Sequence, residues 1–310
     1  MQAARVVFIF GPTGVGKTEL AVQAASGVGE IVSVDSMQVY RGMDLGTAKP
    51  SPQQRAAVPH HLVDVVLPDY RFSAGDFKRR ALRAVELITA RGRVPVLVGG
   101  TGLYFRALES DLSDAPPADT GLREELYRME EAEPGSLHRL LRSLDPETAG
   151  ELHPRDLVRL VRAIEIQRLS GVRFSELKRG RARELVRPVK IGVMLDRELL
   201  YRRLELRCRR MIAAGLPEET AELVRRGYRE DLPSMKGLGY SHFIQFFKGC
   251  LRWTEVERLF IRDTRRYAKR QLTWFRKERE ARWLGPDQVE EAREVIRAVH
   301  ENTGGRPCTW

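Results

Sequence analysis

Short apolar segments alternate with amphipathic ones over roughly the first third of the chain. Residues 6–10, 31–34 and 94–98 are apolar runs rich in Val and Ile, and each ends at Gly or Asp. Such runs are typical of strands buried in a parallel sheet. Residues 17–25 and 77–91 carry apolar side chains at helical spacing. The alternation predicts an α/β fold with a doubly wound parallel sheet, whose functional site lies at the carboxyl ends of the strands.

The pattern changes after a segment rich in Pro and Asp at residues 110–121. From residue 122 to about 187 the spacing of apolar positions is helical throughout, with no clear strand. Strand character returns at residues 187–195, and helical spacing resumes at Arg202. We therefore expect one core domain, formed by residues 1–115 and 187–310 with C-terminal helices, and an all-helical insertion at residues 116–186.

The net charge of the chain indicates what class of molecule it binds. Lys and Arg number 53 against 42 Asp and Glu, which gives a net charge of +11 and a pI near 9.9. This excess indicates a polyanionic partner such as nucleic acid, although a generally basic proteome would also explain it.

Other features of the composition point to the cytoplasm. The chain has no apolar run approaching the ~18 residues of a membrane span, and its first residues resemble a strand rather than a signal peptide. Its three Cys residues are far apart and form no CxxC pair, which argues against disulfides and zinc and suits a reducing cytosol. Nothing in the sequence demands more than a monomer.

The segment "GPTGVGKT" fits the phosphate-binding loop pattern and lies where that motif requires, between a strand and a helix. Most such loops bind ATP. Successive backbone N–H groups and the helix N-terminus favour phosphate oxygens, and the hydroxyl of Thr18 is a ligand for Mg²⁺. The residues predicted to hold phosphate are Gly11, Pro12, Thr13, Gly14, Val15, Gly16, Lys17 and Thr18.

The strand at residues 94–98 does not end in the carboxylate expected of an NTP-hydrolysing protein. It ends in "GGTGLYF", which offers the hydroxyl of Thr101 instead. Three glycines here allow either the close approach of a substrate or simply tight packing of the turn.

Asp35 follows the second strand in "VDSMQVYRGMDLGTAKP". A carboxylate there suits a general base, a Mg²⁺ ligand or a plain helix cap. Ser36, Gln38 and Arg41 offer hydrogen bonds to base edges, and Tyr40 offers a stacking ring.

The stretch "RLFIRDTRRYAKRQLTWFRKE" is predicted to be a helix. Phe260, Tyr267 and Phe275 lie on one face, with Ala268 and Gln271 between them. A basic row beside aromatic residues suits a phosphate backbone, and a solvated charged face is the alternative. The row consists of Arg262, Arg266, Lys269, Arg270 and Arg276.

Seven segments together resemble the bacterial type of tRNA dimethylallyltransferase, also called tRNA isopentenyltransferase, of the IPP transferase family. They are "GPTGVGKTELA", "SVDSMQVYRGMDLGTAKP", "PHHLVDVVLPD", "FSAGDF", "VPVLVGGTGLYFRAL", "HPRDLVRLVRAIEI" and "TRRYAKRQLTWFR". The resemblance runs from about residue 8 to 280 in the order of the family. It implies a P-loop NTPase-like core and transfer of a dimethylallyl group from dimethylallyl diphosphate to N6 of adenine 37, in tRNAs that read codons beginning with U.

The resemblance also implies roles for individual residues. Asp35 is the general base, Thr101 is a second catalytic residue in the channel where base and diphosphate meet, and Arg207 joins the loop in binding diphosphate. Mg²⁺, near Thr18, is the implied cofactor. The insertion binds the anticodon stem-loop. The residues implied to contact tRNA are Asp35, Ser36, Met37, Gln38, Thr101, Arg123, Arg159, Arg162, Lys236, Gly239, Tyr240, Lys269 and Arg270.

Two pairs of adjacent residues depart from the pattern or remain without a role. Ser241 and His242 stand where the family often has an acidic residue, and we assign no chemistry to His60 and His61.

Three alternative functions remain at this point: a P-loop kinase of small molecules, an isopentenyltransferase acting on free AMP, and an RNA-binding protein with a nucleotide switch.

Overall fold

A computed structural model of the protein describes residues 3–109, 115–179 and 185–302. The chain divides into two compact units. The larger one combines residues 1–109 with residues 185–310, and the smaller one comprises residues 110–184. The domain boundaries expected from the sequence, at residues 115–116 and 186–187, stay a prediction. In the described parts of the chain, no helix is both long and apolar enough to cross a membrane.

The larger unit is built on one parallel sheet, in which the described residues form six strands in the order β3-β2-β4-β1-β5-β6. The strands are β1 (Ala4–Phe10), β2 (Gly29–Val34), β3 (His60–His61), β4 (Val94–Gly99), β5 (Val186–Val193) and β6 (Arg282–Leu284). The α/β fold with a parallel core is therefore confirmed, with the two short edge strands β3 and β6 added to it.

Helices flank this sheet, and a separate group of helices forms the smaller unit. Those of the larger unit are α1 (Lys17–Ala25), α2 (Pro52–Ala57), α3 (Ala74–Ala90), α4 (Gly102–Glu109), α10 (Arg197–Ala213), α11 (Leu216–Arg225), α12 (Tyr240–Phe247), α13 (Trp253–Phe275) and α14 (Val289–Asn302). Those of the smaller unit are α5 (Thr120–Ala132), α6 (Ser136–Leu144), α7 (Pro146–Glu151), α8 (Leu157–Ser170) and α9 (Phe174–Arg179).

The alternation of side chains along β1 gives the sheet two apolar faces. Val7 and Ile9 belong to a buried cluster that includes side chains of α1, α10 and α14. Val6, Phe8 and Phe10 belong to a second cluster with α3, α4 and the end of α13. Successive residues of a strand point to opposite faces, so both faces of the central strand are covered.

The central strands end in line with one another. Gly99 of β4 pairs with Phe10 on one side and Val34 on the other, and Phe10 pairs with Gly192 of β5. The segments after β1, β2 and β4 therefore start at the same edge of the sheet. These segments are the phosphate loop, Asp35 and the glycine turn, by which we mean residues 99–102.

The smaller unit has its own apolar core and one buried charge. Leucines from α5, α6 and α8 pack together in it. Glu165 of α8 is fully buried and accepts hydrogen bonds from the guanidinium groups of Arg123 and Arg162. Burial alone would raise the pKa of Glu165, but these hydrogen bonds and that from the Asp119 N–H lower it.

Candidate active site

The phosphate loop joins β1 to α1 at the centre of the sheet edge. Gly16 caps α1 with a φ of 105°, and Gly14 has a φ of 78°, a left-handed backbone that glycine adopts without strain. The loop thus turns its backbone toward the N-terminus of α1, where N–H groups have no partner within the helix. Lys17 Nζ donates a hydrogen bond to the carbonyl of Pro12 at 2.7 Å.

Two cationic side chains lie in one cleft beside this loop. Lys17 and Arg207 both line a cleft of about 1120 Å³. Burial, and after it the charge of Arg207, lowers the pKa of Lys17 to about 7, and Asp35 opposes this shift. Burial also lowers the pKa of Arg207, again against the charge of Asp35. Two desolvated cations beside one carboxylate form a site that favours a multiply charged anion.

Asp35 lies on the same cleft at the end of β2. Its Oδ1 accepts hydrogen bonds from the N–H groups of Met37 at 2.8 Å and Gln38 at 3.2 Å. The carboxylate therefore caps the turn that follows the strand. Among the described residues Oδ2 has no hydrogen-bond partner, so one oxygen fixes the carboxylate and the other is available to a ligand in the cleft.

Thr101 is held beside Asp35 by the turn after β2. The N–H of Ser36 donates to Thr101 Oγ1 at 3.3 Å, and the N–H of Thr101 donates to the carbonyl of Val34 at 3.3 Å. A Cβ at Gly99 would overlap that same carbonyl. The glycine turn therefore packs tightly against the end of β2, which brings the Thr101 hydroxyl next to Ser36.

A buried glutamine that the sequence assigned only to a helix face connects two of these segments. Gln271 of α13 accepts a hydrogen bond from the Thr13 N–H through Oε1 and donates one to the Gly100 carbonyl through Nε2, each at 2.8 Å. The backbone N–H of Thr13 is therefore engaged, and only the Thr13 hydroxyl remains for phosphate. The partners lie 258 and 171 residues away in the chain, so no local pattern could have revealed this contact.

The polar side chain of Gln38 is also engaged within the protein. Its Oε1 accepts from Ser33 Oγ at 2.8 Å, and its Nε2 lies within hydrogen-bond distance of the Thr47 and Ala48 carbonyls. Met37 lies close to Gly237 across the cleft. The role of Ser36, Met37 and Gln38 in contacting a base stays a prediction.

Glu219, which the sequence did not reveal, holds another wall of the cleft. Its carboxylate accepts hydrogen bonds from the N–H groups of Asp44, Leu45 and Gly46 at 2.9–3.3 Å. It also accepts one from the hydroxyl of Tyr240 at 2.6 Å. Tyr240 is fully buried and packs so tightly on Gly46 that a Cβ there would overlap its ring. Glu219 thus joins residues 44–46 to α12.

The segment 236–242 contributes one exposed cation and several buried groups. Lys236 is exposed at the cleft, whereas Gly239 is buried against Leu216 and Phe260. His242 is buried, accepts a hydrogen bond from the Gly239 N–H and contacts Asp263 at 3.3 Å. Burial lowers the pKa of His242. The departure from the family pattern at this position therefore completes a helix cap.

Helix α13 presents basic side chains beside the cleft. Lys269 and Arg270 are exposed, and the Arg270 guanidinium stacks over the ring of Tyr267 at 5.7 Å. Tyr267 lines the cleft, and burial raises its pKa. The buried face of α13 consists mainly of Phe260, Thr264, Ala268, Gln271 and Phe275.

The three arginines predicted to bind tRNA in the smaller unit differ in environment. Arg123 and Arg162 pair with the buried Glu165, and Arg162 also donates to the carbonyl of Pro116 at 2.8 Å. Arg159 is exposed over 67% of its side chain, which contacts Asp156 at 3.5 Å. The first two thus have a structural partner, and the third is the most accessible to a polyanion.

His60 and His61 lie in the edge strand β3, where neither faces the cleft. His61 pairs with the buried Glu30 at 2.7 Å, and Glu30 is also held by Arg91. In the ranges 3–109, 115–179 and 185–302, no cluster of three or more His, Cys, Asp or Glu side chains suits a metal ion. A metal here would need ligands from elsewhere, such as phosphate oxygens and water.

Comparison with known proteins gives a consistent result. The family model described as IPP transferase matches residues 38–278. The tRNA dimethylallyltransferase 2 of Geotalea uraniireducens is 48% identical over 284 residues, which cover 90% of this chain and 92% of the relative. The tRNA dimethylallyltransferase of Geobacter sulfurreducens is 46% identical, covering 90% of this chain and 91% of the relative.

Solved structures agree with the sequence relatives. The full-length tRNA isopentenylpyrophosphate transferase from Bacillus halodurans matches with a TM-score of 0.72 at 37% identity, covering 97% of this chain and 98% of that one. A eukaryotic dimethylallyltransferase acting on tRNA matches with a TM-score of 0.80 at 25% identity, covering 99% of this chain and 81% of that one.

Proposed function

Because this chain belongs to the IPP transferase family, we propose that it transfers a dimethylallyl group from dimethylallyl diphosphate to N6 of adenine 37 in tRNAs that read codons beginning with U. In this reaction the allylic C–O bond breaks, and its electron pair leaves with pyrophosphate. The lone pair of the adenine N6 forms the new C–N bond, and N6 loses one proton. The products are the prenylated tRNA, pyrophosphate and that proton.

One observation supports the proposal most directly. A single cleft contains Lys17 and Arg207, which suit the leaving diphosphate, and Asp35, which suits the proton. A transfer of this kind needs both groups close together, because negative charge grows on the diphosphate while N6 becomes acidic.

The phosphate loop and its neighbours stabilise the leaving group. The N-terminus of α1, Lys17 and Arg207 face the region where negative charge develops as the C–O bond lengthens. Interactions that strengthen as this charge grows lower the barrier to transfer. No phosphoryl group is transferred, so the absence of a carboxylate at the end of β4 fits the chemistry.

Mg²⁺ fits this end of the cleft. The Thr18 hydroxyl lies in the cleft at the first turn of α1, and Mg²⁺ bound to phosphates typically takes one or two protein ligands and several waters. Thr18 is the residue that would hold it, and the ion would neutralise part of the charge on the diphosphate.

Asp35 takes the proton from N6. Its Oδ1 is fixed by two backbone N–H groups, which leaves Oδ2 to accept a hydrogen bond from the exocyclic amine. Thr101 accepts a hydrogen bond from the N–H of Ser36, the residue after Asp35, and is the residue that we assign to orienting the base. An adenine in a single-stranded loop reaches such a cleft at low cost, because little stacking is lost when it turns out.

The tRNA is bound through its phosphates by exposed basic side chains. Lys236, Lys269 and Arg270 of the larger unit and Arg159 of the smaller unit are exposed, and contacts of this type provide affinity without reading sequence. The protein acts in the cytoplasm, where its tRNA substrate occurs, and as a monomer.

The function is tested by incubating the protein with radiolabelled dimethylallyl diphosphate and an unmodified anticodon stem-loop carrying adenine at position 37. We expect label in the RNA that depends on that adenine, together with release of pyrophosphate. A matched RNA with guanine at the position is the control. Label that enters free AMP but not RNA, or phosphoryl transfer from ATP instead, would contradict the proposal.

A further inference from the structure

Gln271 lies between the two parts of the site that bind different substrates, although it is not placed to react with either. It is only 7% exposed, and its side-chain amide fills the space between Thr13 of the phosphate loop and Gly100 of the glycine turn. The oxygen and the nitrogen of this buried amide each have a hydrogen-bond partner. The amide fits in one orientation, because only its oxygen can accept from the Thr13 N–H and only its nitrogen can donate to the Gly100 carbonyl.

The glycine turn leaves room for side chains of helix α13. A Cβ at Gly100 would overlap Nε2 of Gln271, and a Cβ at Gly102 would overlap the indole nitrogen of Trp274. Gln271 and Trp274 are three positions apart on α13 and so lie on the same side of it. The two glycines are therefore needed for space, so that α13 can contact the turn on both sides of Thr101.

Thr101 is consequently fixed from two directions. Its neighbours contact α13, and its own hydroxyl accepts from Ser36 next to Asp35. The phosphate loop is fixed to the same helix through Thr13. The Gln271 amide thus connects the phosphate loop to the turn that carries Thr101.

We propose that Gln271 is a positioning residue that sets the distance and orientation between the diphosphate held by the phosphate loop and the adenine held beside Asp35 and Thr101. This inference rests on the proposed function. Reacting atoms must come within about 3–3.5 Å in the correct direction, and an error of about 1 Å can cost about 100-fold in rate. Loss of Gln271 therefore slows the transfer step, while each substrate still finds its own binding groups.

The test compares the variants Q271A and Q271E with the wild-type protein. For Q271A we expect kcat to fall about 10- to 100-fold, with KM for dimethylallyl diphosphate and for the stem-loop RNA changed by less than about threefold. The control T273A alters an exposed residue of the same helix whose hydroxyl donates to the Lys269 carbonyl, and we expect wild-type values for it.

Q271E separates positioning from mere filling of space, because glutamate has the size of glutamine but donates a hydrogen bond only when it is protonated. Burial raises the pKa of such a carboxyl. At about pH 8 Q271E should be as slow as Q271A, and the ratio of its kcat to that of the wild type should rise as the pH falls toward about 6. The same ratio for Q271A should stay flat. A change confined to KM in Q271A and Q271E would overturn the proposal.

Hydrogen exchange provides a readout that does not depend on activity. The Thr13 amide should exchange faster in Q271A than in T273A, since its hydrogen-bond acceptor is gone. If the wild type transfers no dimethylallyl group but Thr13 loses protection in Q271A, the proposed function fails and only the contact stands. If the wild type is active and Q271A retains wild-type kcat, the positioning role fails and the proposed function stands.

Discussion

Lys17 and Arg207 are two cations that line the same cleft, and burial together with the charge of Arg207 lowers the pKa of Lys17 to about 7 against the opposing effect of Asp35. A bound diphosphate favours the charged ammonium. Binding therefore takes up a proton wherever Lys17 is neutral in the free protein, which is above about pH 7.

We predict that the affinity for pyrophosphate falls as the pH rises above about 7, by at most about tenfold per pH unit for one proton. Below that pH Lys17 is already charged, and the affinity should level off. Isothermal titration calorimetry between about pH 6 and pH 9 measures the dissociation constant.

The variant K17R is the matched control, because a guanidinium stays charged over this range. Dividing the wild-type dissociation constant by that of K17R at each pH removes the ionisation of pyrophosphate itself. The ratio should increase with pH, and a constant ratio would show that Lys17 does not titrate in the cleft.

The substitution D35N tests the general base. It keeps an oxygen that can accept from the Met37 N–H but cannot accept the N6 proton, so transfer should slow about 100- to 10,000-fold. Single-turnover rates with labelled donor measure this loss. RNA affinity should change by less than about threefold. A collapse of RNA binding instead would make Asp35 a contact to the base and not the proton acceptor.

Glu219→Gln should weaken the wall of the cleft. One carboxylate oxygen is replaced by an NH₂ group that faces backbone N–H donors, so we expect a loss of about 1–3 kcal/mol in the free energy of unfolding. Urea denaturation followed by circular dichroism measures it. The adjacent Glu218 is exposed, and E218Q should be close to neutral. Equal effects of the two substitutions would be inconsistent with the role of Glu219.

The arginines of the smaller unit should separate into two groups. R123A removes a partner of the buried Glu165 and should lower the free energy of unfolding by about 3 kcal/mol, whereas R159A should leave stability unchanged. R159A should instead reduce the affinity for stem-loop RNA and lower the salt dependence of binding by about one unit of slope. Thermal melting and filter binding at several salt concentrations distinguish the two effects.

The ion pairs of Glu165 also predict that the folded protein loses stability at acid pH. The pKa of Glu165 is lowered in the folded protein, so its contribution is present above the pKa of an unfolded glutamate, about 4.3, and is lost as the pH falls through the folded value. Melting curves between about pH 3 and pH 6 should show this loss in the wild type and a smaller one in E165Q.

The parts of the fold that the sequence predicted are those with local signals. Strands β1, β2 and β4 are apolar runs ended by Gly or Asp, and α1 follows a recognisable loop. Strands β3 and β6 have two and three residues, too few for any periodic pattern. They are strands because a neighbouring strand offers them hydrogen bonds, which is a property of the assembled sheet.

The residues of the candidate site also fall into those that a local sequence signal predicted and those that it did not. The positions of Lys17, Asp35 and Thr101 follow from the ends of predicted strands. Gln271 and Glu219 were not identified, because the backbone groups that they contact lie more than 170 residues away and their residue types have no motif. Contacts of this kind depend on how α13 and α11 pack, which no spacing along the chain encodes.

The position of β1 between β4 and β5 has a consequence for how the protein is made. On the ribosome the first 109 residues emerge without the strand that covers one edge of β1 and without α14, which packs on α1 and covers one face of the sheet. That fragment exposes an unpaired strand edge beside apolar surface, a combination prone to aggregation. That face of the sheet stays partly uncovered until residues near 302 have been translated, whereas the inserted helices have an apolar core of their own well before that point.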